Sequence, residues 1–287
     1  MEVLRPEDAV AFLRLAGPLL ERDEARNQLP LGIAGTMTAH PDAYDVVHFW
    51  VVRDGDEPVA AAVRTEPFNL VLGDPSSDAA LDLLLEAVLA DDPEIPGIVG
   101  NVPFVEQAAE RLAGASGRTA ERVLSEGVYE LTSVREVARA PGGARTAVPA
   151  DRSILLRWLR AFADEAIRTL DPEEAFGQME RNLDNRFGTE GAGFWFWEQD
   201  GEPVSLSGFS GPTPTGIRIG PVYTPPEHRK HGYATTLVAD LSAWLLEQGH
   251  RACFLYTDLA NPTSNRIYVE IGYERVCDAM EFSFRTA

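Results

Sequence analysis

Two stretches of the chain repeat one pattern and restrict the folds open to it. HFWVVRDGDEPVAAAVRT occupies residues 48–65, and GFWFWEQDGEPVSLSGFS occupies residues 193–210. Each begins with an aromatic, β-rich run, turns at an acidic residue followed by glycine, and continues through Glu-Pro-Val. A β-rich run on either side of such a turn predicts a β-hairpin. A repeated hairpin indicates a repeated architecture.

The elements around each hairpin also recur in the same order. In the first half, apolar spacing and turn residues predict a helix at 76–92, a strand at 96–100, a helix at 103–117 and a strand at 127–134. In the second half they predict helices at 151–168 and 171–187, a strand at 216–224, a helix at 233–249, a strand at 252–258, a short helix within 261–273 and a final strand at 281–287. The sequence therefore predicts two similar α/β units.

A segment rich in Pro, Gly and Ala, ARAPGGARTAVPADRS, lies between the halves. Such composition is typical of a linker. We therefore expect a first domain at 1–135, a linker at 136–150 and a second domain at 151–287.

The formal net charge is -20, which excludes a general binder of nucleic acid because the phosphate backbone would be repelled. The chain has two cysteines, too few for a disulfide framework, and we expect both to be structural thiols. No apolar run is long enough to span a membrane, and the first residues lack the core of a signal peptide. We expect a cytoplasmic protein without membrane contact.

Basic residues are sparse, yet three adjoin one another in the segment VYTPPEHRKHGYATTL: Arg229, Lys230 and His231. They precede Gly232 and a predicted helix. A helix start offers unpaired N–H groups and a partial positive charge, so this loop could bind a pyrophosphate. An exposed turn with solvated charges is the alternative. The segment is neither a P-loop nor a Rossmann fingerprint.

Over residues 190–280 this order of elements resembles the GNAT superfamily of acyl-CoA-dependent N-acyltransferases. In that family an Arg or Gln, two residues, Gly, one residue and Gly or Ala bind the coenzyme A pyrophosphate, and here these positions are Arg229, Gly232 and Ala234. The resemblance implies two tandem domains, each a mixed, mainly antiparallel sheet flanked by helices. It implies that the coenzyme contacts the following residues: Val222, Tyr223, Thr224, Arg229, Lys230, His231, Gly232, Tyr233, Ala234, Thr235, Asn261, Asn265 and Tyr268.

The resemblance further implies an N-acetyltransferase that uses acetyl-CoA as cosubstrate. The acceptor would be a small-molecule amine or a protein amino group, which attacks the thioester directly. A backbone N–H at or after Val222 would stabilise the oxyanion, and Tyr268 would be the general acid. For Tyr268 a packing role is the alternative, and for Asn261 and Asn265 a role in capping or in the turn. A non-catalytic acyl-CoA sensor, or an enzyme with a longer acyl donor, remains open.

Other candidates for chemistry are weaker. The general base is not evident from the sequence, and the candidates are Glu198, Glu227, His228 and Asp258. Ser205 and Ser207 lack the His and Asp pattern of a catalytic triad, and Cys253 lies in an apolar run. The five histidines show no metal spacing, so we expect no catalytic metal.

The first half departs from the family pattern at the corresponding junction, NLVLGDPSSDAALDLLL. Asp74 and Asp78 stand where basic residues would be needed, so we expect a degenerate copy without coenzyme. Half of the aromatic run at 194–197 is expected in the core, and the other half could line an acceptor pocket or the seam between the domains. An exposed final strand, EFSFRTA, suggests a homodimer.

Overall fold

The structure, a computed structural model, describes residues 1–166, 172–187 and 191–286 of the 287-residue chain. The chain forms two compact units. The first comprises residues 1–128 together with the last segment from Val276, and the second comprises residues 129–275. No helix within the described ranges is both long and apolar enough to cross a membrane.

The first unit is a sheet with helices on both faces. Its elements are β1 (Glu2–Leu4), α1 (Ala9–Leu20), α2 (Gln28–Ala39), β2 (Val47–Asp54), β3 (Glu57–Thr65), β4 (Leu70–Leu72), α3 (Asp78–Asp91), β5 (Gly97–Asn101), α4 (Phe104–Ser116), β6 (Arg118–Leu131) and the last strand of the chain, β12 (Glu274–Thr286). The strand order is β1-β2-β3-β4-β5-β12-β6. Strands β4 and β5 are parallel. The neighbouring pairs β1–β2, β2–β3, β3–β4 and β5–β12 are antiparallel.

Strand alternation in the first unit divides its core into two layers. Trp50 and Val52 of β2 pack with α3 and α4, whereas Phe49 and Val51 pack with α1 and α2. This division follows from the two-residue period of a strand, which sends successive side chains to opposite faces. The predicted hairpin at 48–65 is confirmed, with its turn between Asp54 and Glu57.

The second unit repeats the order of elements. Its elements are the end of β6, then β7 (Gly143–Thr146), α5 (Arg152–Ala166), α6 (Pro172–Leu183), β8 (Gly193–Gln199), β9 (Glu202–Ser210), β10 (Gly216–Tyr223), α7 (Tyr233–Glu247), β11 (Ala252–Asp258) and α8 (Pro262–Ile271). The strand order is β6-β11-β10-β9-β8-β7. Strands β10 and β11 are parallel. The neighbouring pairs β7–β8, β8–β9 and β9–β10 are antiparallel. The predicted fold class, a mixed and mainly antiparallel sheet flanked by helices in each of two units, is confirmed.

Helices α7 and α8 cover one face of the second sheet, and α5 with α6 covers the other. Ile217 and Ile219 of β10 pack in the cluster that contains Leu241 of α7 and Ile271 of α8. The opposite layer joins Leu155, Trp158 and Leu159 of α5 to Phe194, Phe196, Leu206 and Tyr223 of the sheet. Two of the predicted helices, at 151–168 and 171–187, extend in part beyond the described residues.

The boundary between the units differs from the one expected from composition. β7 lies within the predicted linker 136–150, where Gly143–Thr146 pairs with Trp195–Glu198 of β8 as an edge strand. The segment from Val276 onward, expected in the second domain, completes the first unit. Its strand pairs antiparallel with β5 from Ala279 to Ser283.

The packing of β12 explains why this strand belongs to the first unit. Met280, Phe282 and Phe284 lie against the core of the first unit beside Ile98. Asn69 also donates a hydrogen bond of 2.6 Å to Glu281. Because β12 lies between β5 and β6, the final strand is not an exposed edge. The argument from that edge to a homodimer therefore fails.

Candidate active site

Strand β10 leaves its parallel neighbour β11 partway along its length. The parallel register ends at the pair Arg218–Phe254, although β10 continues to Tyr223 and β11 to Asp258. Within the described chain, no later pair joins these two strands. A wedge therefore opens in the sheet, and the backbone of β10 along it can pair with another extended molecule.

A bulge accounts for the separation. The register between β10 and β9 shifts between Ile219 and Val222. Gly220, inside the bulge, has φ of 148°, which side chains disfavour, and Pro221 has no N–H to give to a ladder. Such irregularities bend a strand and end its pairing. The predicted coenzyme-binding residues Val222, Tyr223 and Thr224 lie on the stretch that follows.

The loop after β10 turns twice through the left-handed region before α7 begins. Lys230 has φ of 68° and Gly232 has φ of 82°, while Arg229 between β10 and Lys230 is extended. Left-handed residues at the start of a helix turn successive N–H groups toward one concavity, which is a common way to bind an anion. Lys230 and His231 are exposed at the rim of this loop.

The first turn of α7 offers its amides without a side-chain cap. Gly232 is the N-cap residue, and no side chain in the described part of the chain accepts a hydrogen bond from the N–H groups of Tyr233, Ala234 or Thr235. In the first unit, by contrast, Ser77 caps the corresponding helix α3 through Ala80 N at 3.2 Å. The uncapped turn and the wedge adjoin in sequence, and together they fit an extended ligand that ends in a phosphate group.

The predicted loop residues differ in what their side chains do. Tyr233 is buried and donates a short hydrogen bond to Gln199, and its ring stacks on His231 at 5.5 Å. Thr235 is also buried, which leaves its backbone as the group able to meet a ligand. Thr224 contacts Ser205 through their hydroxyl groups at 2.8 Å.

Tyr268 lies in the cluster against which Val222 packs, and its ring meets the edge of Tyr273 at 5.8 Å. Burial raises the pKa of its phenol to about 12. Of the residues that the structure describes, none forms a hydrogen bond with the phenol oxygen. Tyr268 is therefore a protonated donor at every physiological pH, in addition to being a packing residue.

Asn261 and Asn265 have structural partners. Asn261 caps α8 by accepting a hydrogen bond from Ser264 N at 3.1 Å. Asn265 donates to the carbonyl oxygens of Asp258 at 2.9 Å and Asn261 at 2.7 Å, and it accepts from the Tyr129 hydroxyl at 3.2 Å. These bonds hold the turn after β11 and favour the capping role weighed for both residues.

Of the four candidate bases, two accept hydrogen bonds, one is exposed and one is half-buried. Glu198 accepts a hydrogen bond of 2.5 Å from Arg145, and Asp258 accepts one of 2.8 Å from Ala260 N. Glu227 is exposed and His228 is half-buried in the short turn after β10. The structure gives none of them the buried, unpaired position that would tune a base.

Other reactive side chains lie in the core. Burial raises the pKa of the Cys253 thiol to about 12, so it carries no thiolate at neutral pH. The aromatic run divides between the two faces of the sheet: Phe194 and Phe196 pack toward α5, while Trp195 and Trp197 pack toward α7. All four pack in or against core layers, whereas the sequence predicted this for half of the run.

The corresponding junction of the first unit is filled by the protein itself. Asn101 donates a hydrogen bond of 2.8 Å to the Asp74 carboxylate, Arg26 pairs with the same carboxylate, and Asn27 accepts from Asp74 N at 3.0 Å. An internal carboxylate thus stands at the strand–helix junction where the second unit has an open loop.

A group of possible metal ligands occurs in the first unit, far from this loop in sequence. His48, Glu66 and Asp92 bring ligand atoms within 4.8 Å of one another. Arg64 donates to Glu66 at 3.4 Å and to Asp92, so a guanidinium already occupies the place of a cation. This group therefore carries no argument for a metal.

Known proteins resemble the chain in sequence. The sequence profile described as "Acetyltransferase (GNAT) family" matches residues 155–273. A protein named nucleoside triphosphate pyrophosphatase, from Saccharopolyspora erythraea, is 29% identical over 194 residues, which cover 61% of this chain and 86% of that protein.

Solved structures resemble the chain over nearly its whole length. A GCN5-related N-acetyltransferase from Sphaerobacter thermophilus aligns with a TM-score of 0.59 and 17% identity, covering 98% of this chain and 94% of that one. A tandem GNAT protein from the clavulanic acid biosynthesis pathway aligns with a TM-score of 0.57 and 16% identity, covering 99% and 98%. At such identities the likeness establishes the fold, including its two-unit layout.

Proposed function

Because residues 155–273 form an acetyltransferase domain of the GNAT family, we propose that the chain transfers an acetyl group from acetyl-CoA to the nitrogen of an amine. Acyl transfer from acyl-CoA follows from the family, and the amine acceptor is the finer part of the proposal. One observation carries it. The uncapped start of α7 lies directly after the stretch of β10 that has left β11.

The second unit fits the coenzyme through its backbone. The amides of Tyr233, Ala234 and Thr235, with the left-handed residues Lys230 and Gly232 before them, would bind the pyrophosphate. The freed backbone of β10 from Val222 to Thr224 would pair with the amides of the pantetheine arm. When bound, acetyl-CoA supplies the acetyl group as a thioester.

Charge on the reacting carbonyl would be stabilised by a backbone donor. Beyond the bulge β10 pairs with β9 again at Val222–Ser207, whereas its other edge has no further pair with β11 among the described residues, so an N–H on that edge can face the wedge. A fixed donor aimed at a developing oxyanion is worth a large rate factor, because it needs no reorganisation when the reaction occurs.

Tyr268 would assist the departure of the sulfur. An alkyl thiol has a pKa of about 8.5, whereas the pKa of the Tyr268 phenol is about 12. The phenol is thus the weaker acid, and its role is to donate a hydrogen bond to the developing thiolate. The proton that completes the thiol then comes from solvent or from the acceptor amine.

Transfer would be direct, without an acyl-enzyme. The N–C bond of the amide forms as the C–S bond breaks, the amine loses one proton and the sulfur gains one. The candidate nucleophiles fit this, since Cys253 is a buried thiol and Ser205 and Ser207 are fully buried on β9. A protonated, buried thiol is a poor nucleophile.

The first experiment is calorimetric titration of acetyl-CoA into the purified protein, with dephospho-coenzyme A, ATP and other nucleoside triphosphates as comparisons. We expect one micromolar site for acetyl-CoA. Amines are then screened for release of free thiol. Binding without turnover would favour the acyl-CoA sensor, and preference for a longer acyl-CoA would favour a different donor. Hydrolysis of a triphosphate, as the name of the Saccharopolyspora protein suggests, would contradict the proposal.

A further inference from the structure

Arg218 lies on β10 two residues before Gly220, on the face of the sheet that α5 and α6 cover. Its neighbours Ile217 and Ile219 pack toward α7 and α8, so strand alternation directs Arg218 to the opposite face. Directly across from it lie Ser210 on β9 and Phe254 on β11, and Arg218–Phe254 is the pair at which β11 departs.

The Arg218 guanidinium has no partner among the described residues. Its Nη1 atom is buried and makes no hydrogen bond. Other half-buried arginines do find carboxylates: Arg26 pairs with Asp74, and Arg145 pairs with Asp151 at 2.6 Å. In a chain of net charge -20, a carboxylate for Arg218 would have been easy to supply. Arg218 is half-buried, and partial removal from water without a counter-ion is costly for a cation, which makes an external anion the natural partner.

A second guanidinium adds to the positive field at this place. Arg186, in the short turn after α6, donates a short hydrogen bond to the Ser210 hydroxyl and lies 4.7 Å above the Phe194 ring. Opposed residues on neighbouring strands lie about 5 Å apart, so the Ser210 hydroxyl that Arg186 contacts is beside Arg218. The two cations reinforce each other toward an anion.

Gly220 has open space beside it, since a Cβ added there would meet no atom within 4 Å. Gly208 on β9 is closely packed, because a Cβ added there would lie 2.8 Å from the Gly220 carbonyl oxygen and 3.1 Å from the Phe194 ring. Two residues of strand span about 6.5 Å, so an anion on Arg218 would lie within one small molecule of the bulge.

We propose that Arg218 binds a carboxylate of the acceptor, so that the acceptor is an amine that also carries a carboxylate, as an amino acid does. This inference rests on the proposed acetyl transfer. The carboxylate would supply the counter-ion that Arg218 lacks among the described residues, and the planar guanidinium suits it because the two can form parallel hydrogen bonds. The amine end would then face the bulge.

Stability gives a first test that needs no known acceptor. Arg218→Met keeps the length of the side chain but removes the charge, and Arg251→Met removes an exposed positive charge as a matched control. Without ligand, we expect the Tm of Arg218→Met to equal or exceed that of the native protein. A Tm below that of the control would indicate that Arg218 has a structural partner, and it would overturn the proposal.

The second test uses the full chain with saturating acetyl-CoA and pairs of acceptors. Each amino acid is compared with its amide and with the amine that lacks the carboxyl group, by release of free thiol. We expect kcat/KM to favour the acid by about 10- to 100-fold, the worth of a hydrogen bond to a charged group. Arg218→Met should remove this preference without changing the Kd for acetyl-CoA, and Arg218→Lys should restore part of it.

The outcomes separate this inference from the function on which it rests. If acetyl-CoA does not bind, the proposed function fails. If acetyl-CoA binds and the neutral amines react as well as the acids, or no acid reacts, the role of Arg218 is overturned while the coenzyme site stands. If Arg218→Met weakens acetyl-CoA binding instead, Arg218 serves the coenzyme and the inference is also overturned.

Discussion

Glu165, near the end of α5, holds Arg229 of the loop after β10. Arg229 Nη2 lies 3.0 Å and 2.7 Å from the two carboxylate oxygens of Glu165, and Arg229 Nε donates to the Thr224 carbonyl oxygen at 2.9 Å. The pair is only half exposed. A negative side chain therefore lies beside the loop proposed to bind a pyrophosphate, and it neutralises the arginine that the family motif assigns to that loop.

Glu165→Gln should tighten the binding of acetyl-CoA. The change removes a negative charge next to the proposed pyrophosphate and frees Arg229 to interact with it. Exposed ion pairs are worth about 1 kcal/mol or less, so we expect the Kd to fall by about two- to fivefold at low salt. The gain should shrink as salt is raised, because screening weakens charge interactions at a partly exposed site. Calorimetry at two ionic strengths measures both.

A matched control is Glu173→Gln, which removes the same charge from the ion pair with Arg160. That variant should leave the Kd unchanged. If Glu165→Gln weakened binding instead, the carboxylate would be orienting Arg229 toward the coenzyme rather than competing with it.

Gly232→Asp should abolish acetyl-CoA binding, and Gly232→Ala should weaken it much less. Both variants accept the left-handed φ of 82° at a cost of about 1–2 kcal/mol. Space is not limiting, since an added Cβ would meet only the Ala140 Cβ at 3.8 Å. The aspartate alone places a carboxylate at the uncapped start of α7, which favours the free helix but excludes a phosphate.

Thermal melts and calorimetry distinguish strain from charge in these two variants. The aspartate variant should be at least as stable as the alanine variant while binding worse. Equal affinities in the two variants would remove the pyrophosphate from this loop.

The sequence predicted the fold through short-range signals. The repeated hairpins and the helices predicted at 76–92 and 103–117 all depend on residues near in sequence, and the structure confirms each of them. The position of β12 in the first unit was missed. The alternation in its sequence specifies a strand with an apolar face, but it does not specify the sheet with which that strand pairs. Only the fit of Phe282 and its neighbours to the first core decides that.

The candidate site likewise combines features that neighbouring residues specify with features that depend on tertiary packing. The loop residues from Arg229 to Ala234 form a contiguous motif, so a single segment of sequence was enough to propose them. Glu165 lies 64 positions before Arg229, and no local pattern connects the two. The isolation of Arg218 is likewise a property of everything packed around it. A local motif was therefore enough to propose the coenzyme side of the site, but not the charged groups that lie beside it.

The protein should bind one acetyl-CoA per chain, not two. In the first unit, Asp74 is held by Asn101 and Arg26 at the strand–helix junction, and Ser77 caps the helix that follows. The Ser77 hydroxyl thus accepts from an amide of the kind that α7 leaves uncapped, and an internal carboxylate lies at the junction before it. Calorimetric stoichiometry should be near one and should fall to zero in Gly232→Asp. Residual binding in that variant would place a coenzyme in the first unit.

Tyr268→Phe should lower kcat by about 100-fold or more, the usual range for losing a fixed hydrogen-bond donor to a developing anion. The Kd for acetyl-CoA and the Tm should change little, because no described residue hydrogen-bonds the phenol. Since burial raises the pKa of Tyr268 to about 12, its ionisation should not limit native turnover between pH 7 and pH 10. Unchanged turnover in the variant would assign Tyr268 to packing alone.

Stability should fall as the pH rises above about 9. Burial raises the pKa of Cys253 from 9.0 to about 12 and that of Cys277 from 9.0 to about 11. The unfolded chain releases these protons near pH 9 while the folded chain keeps them, so the unfolded state gains stability with each step in pH above that value. The contribution of the two thiols to the free energy of unfolding is complete below pH 9 and is lost progressively toward pH 12.

Melting temperatures from pH 7 to pH 11 should show this decline, and Cys253→Ala, although less stable at pH 7, should decline less steeply. Parallel declines in the two proteins would assign the alkaline loss to groups other than this thiol.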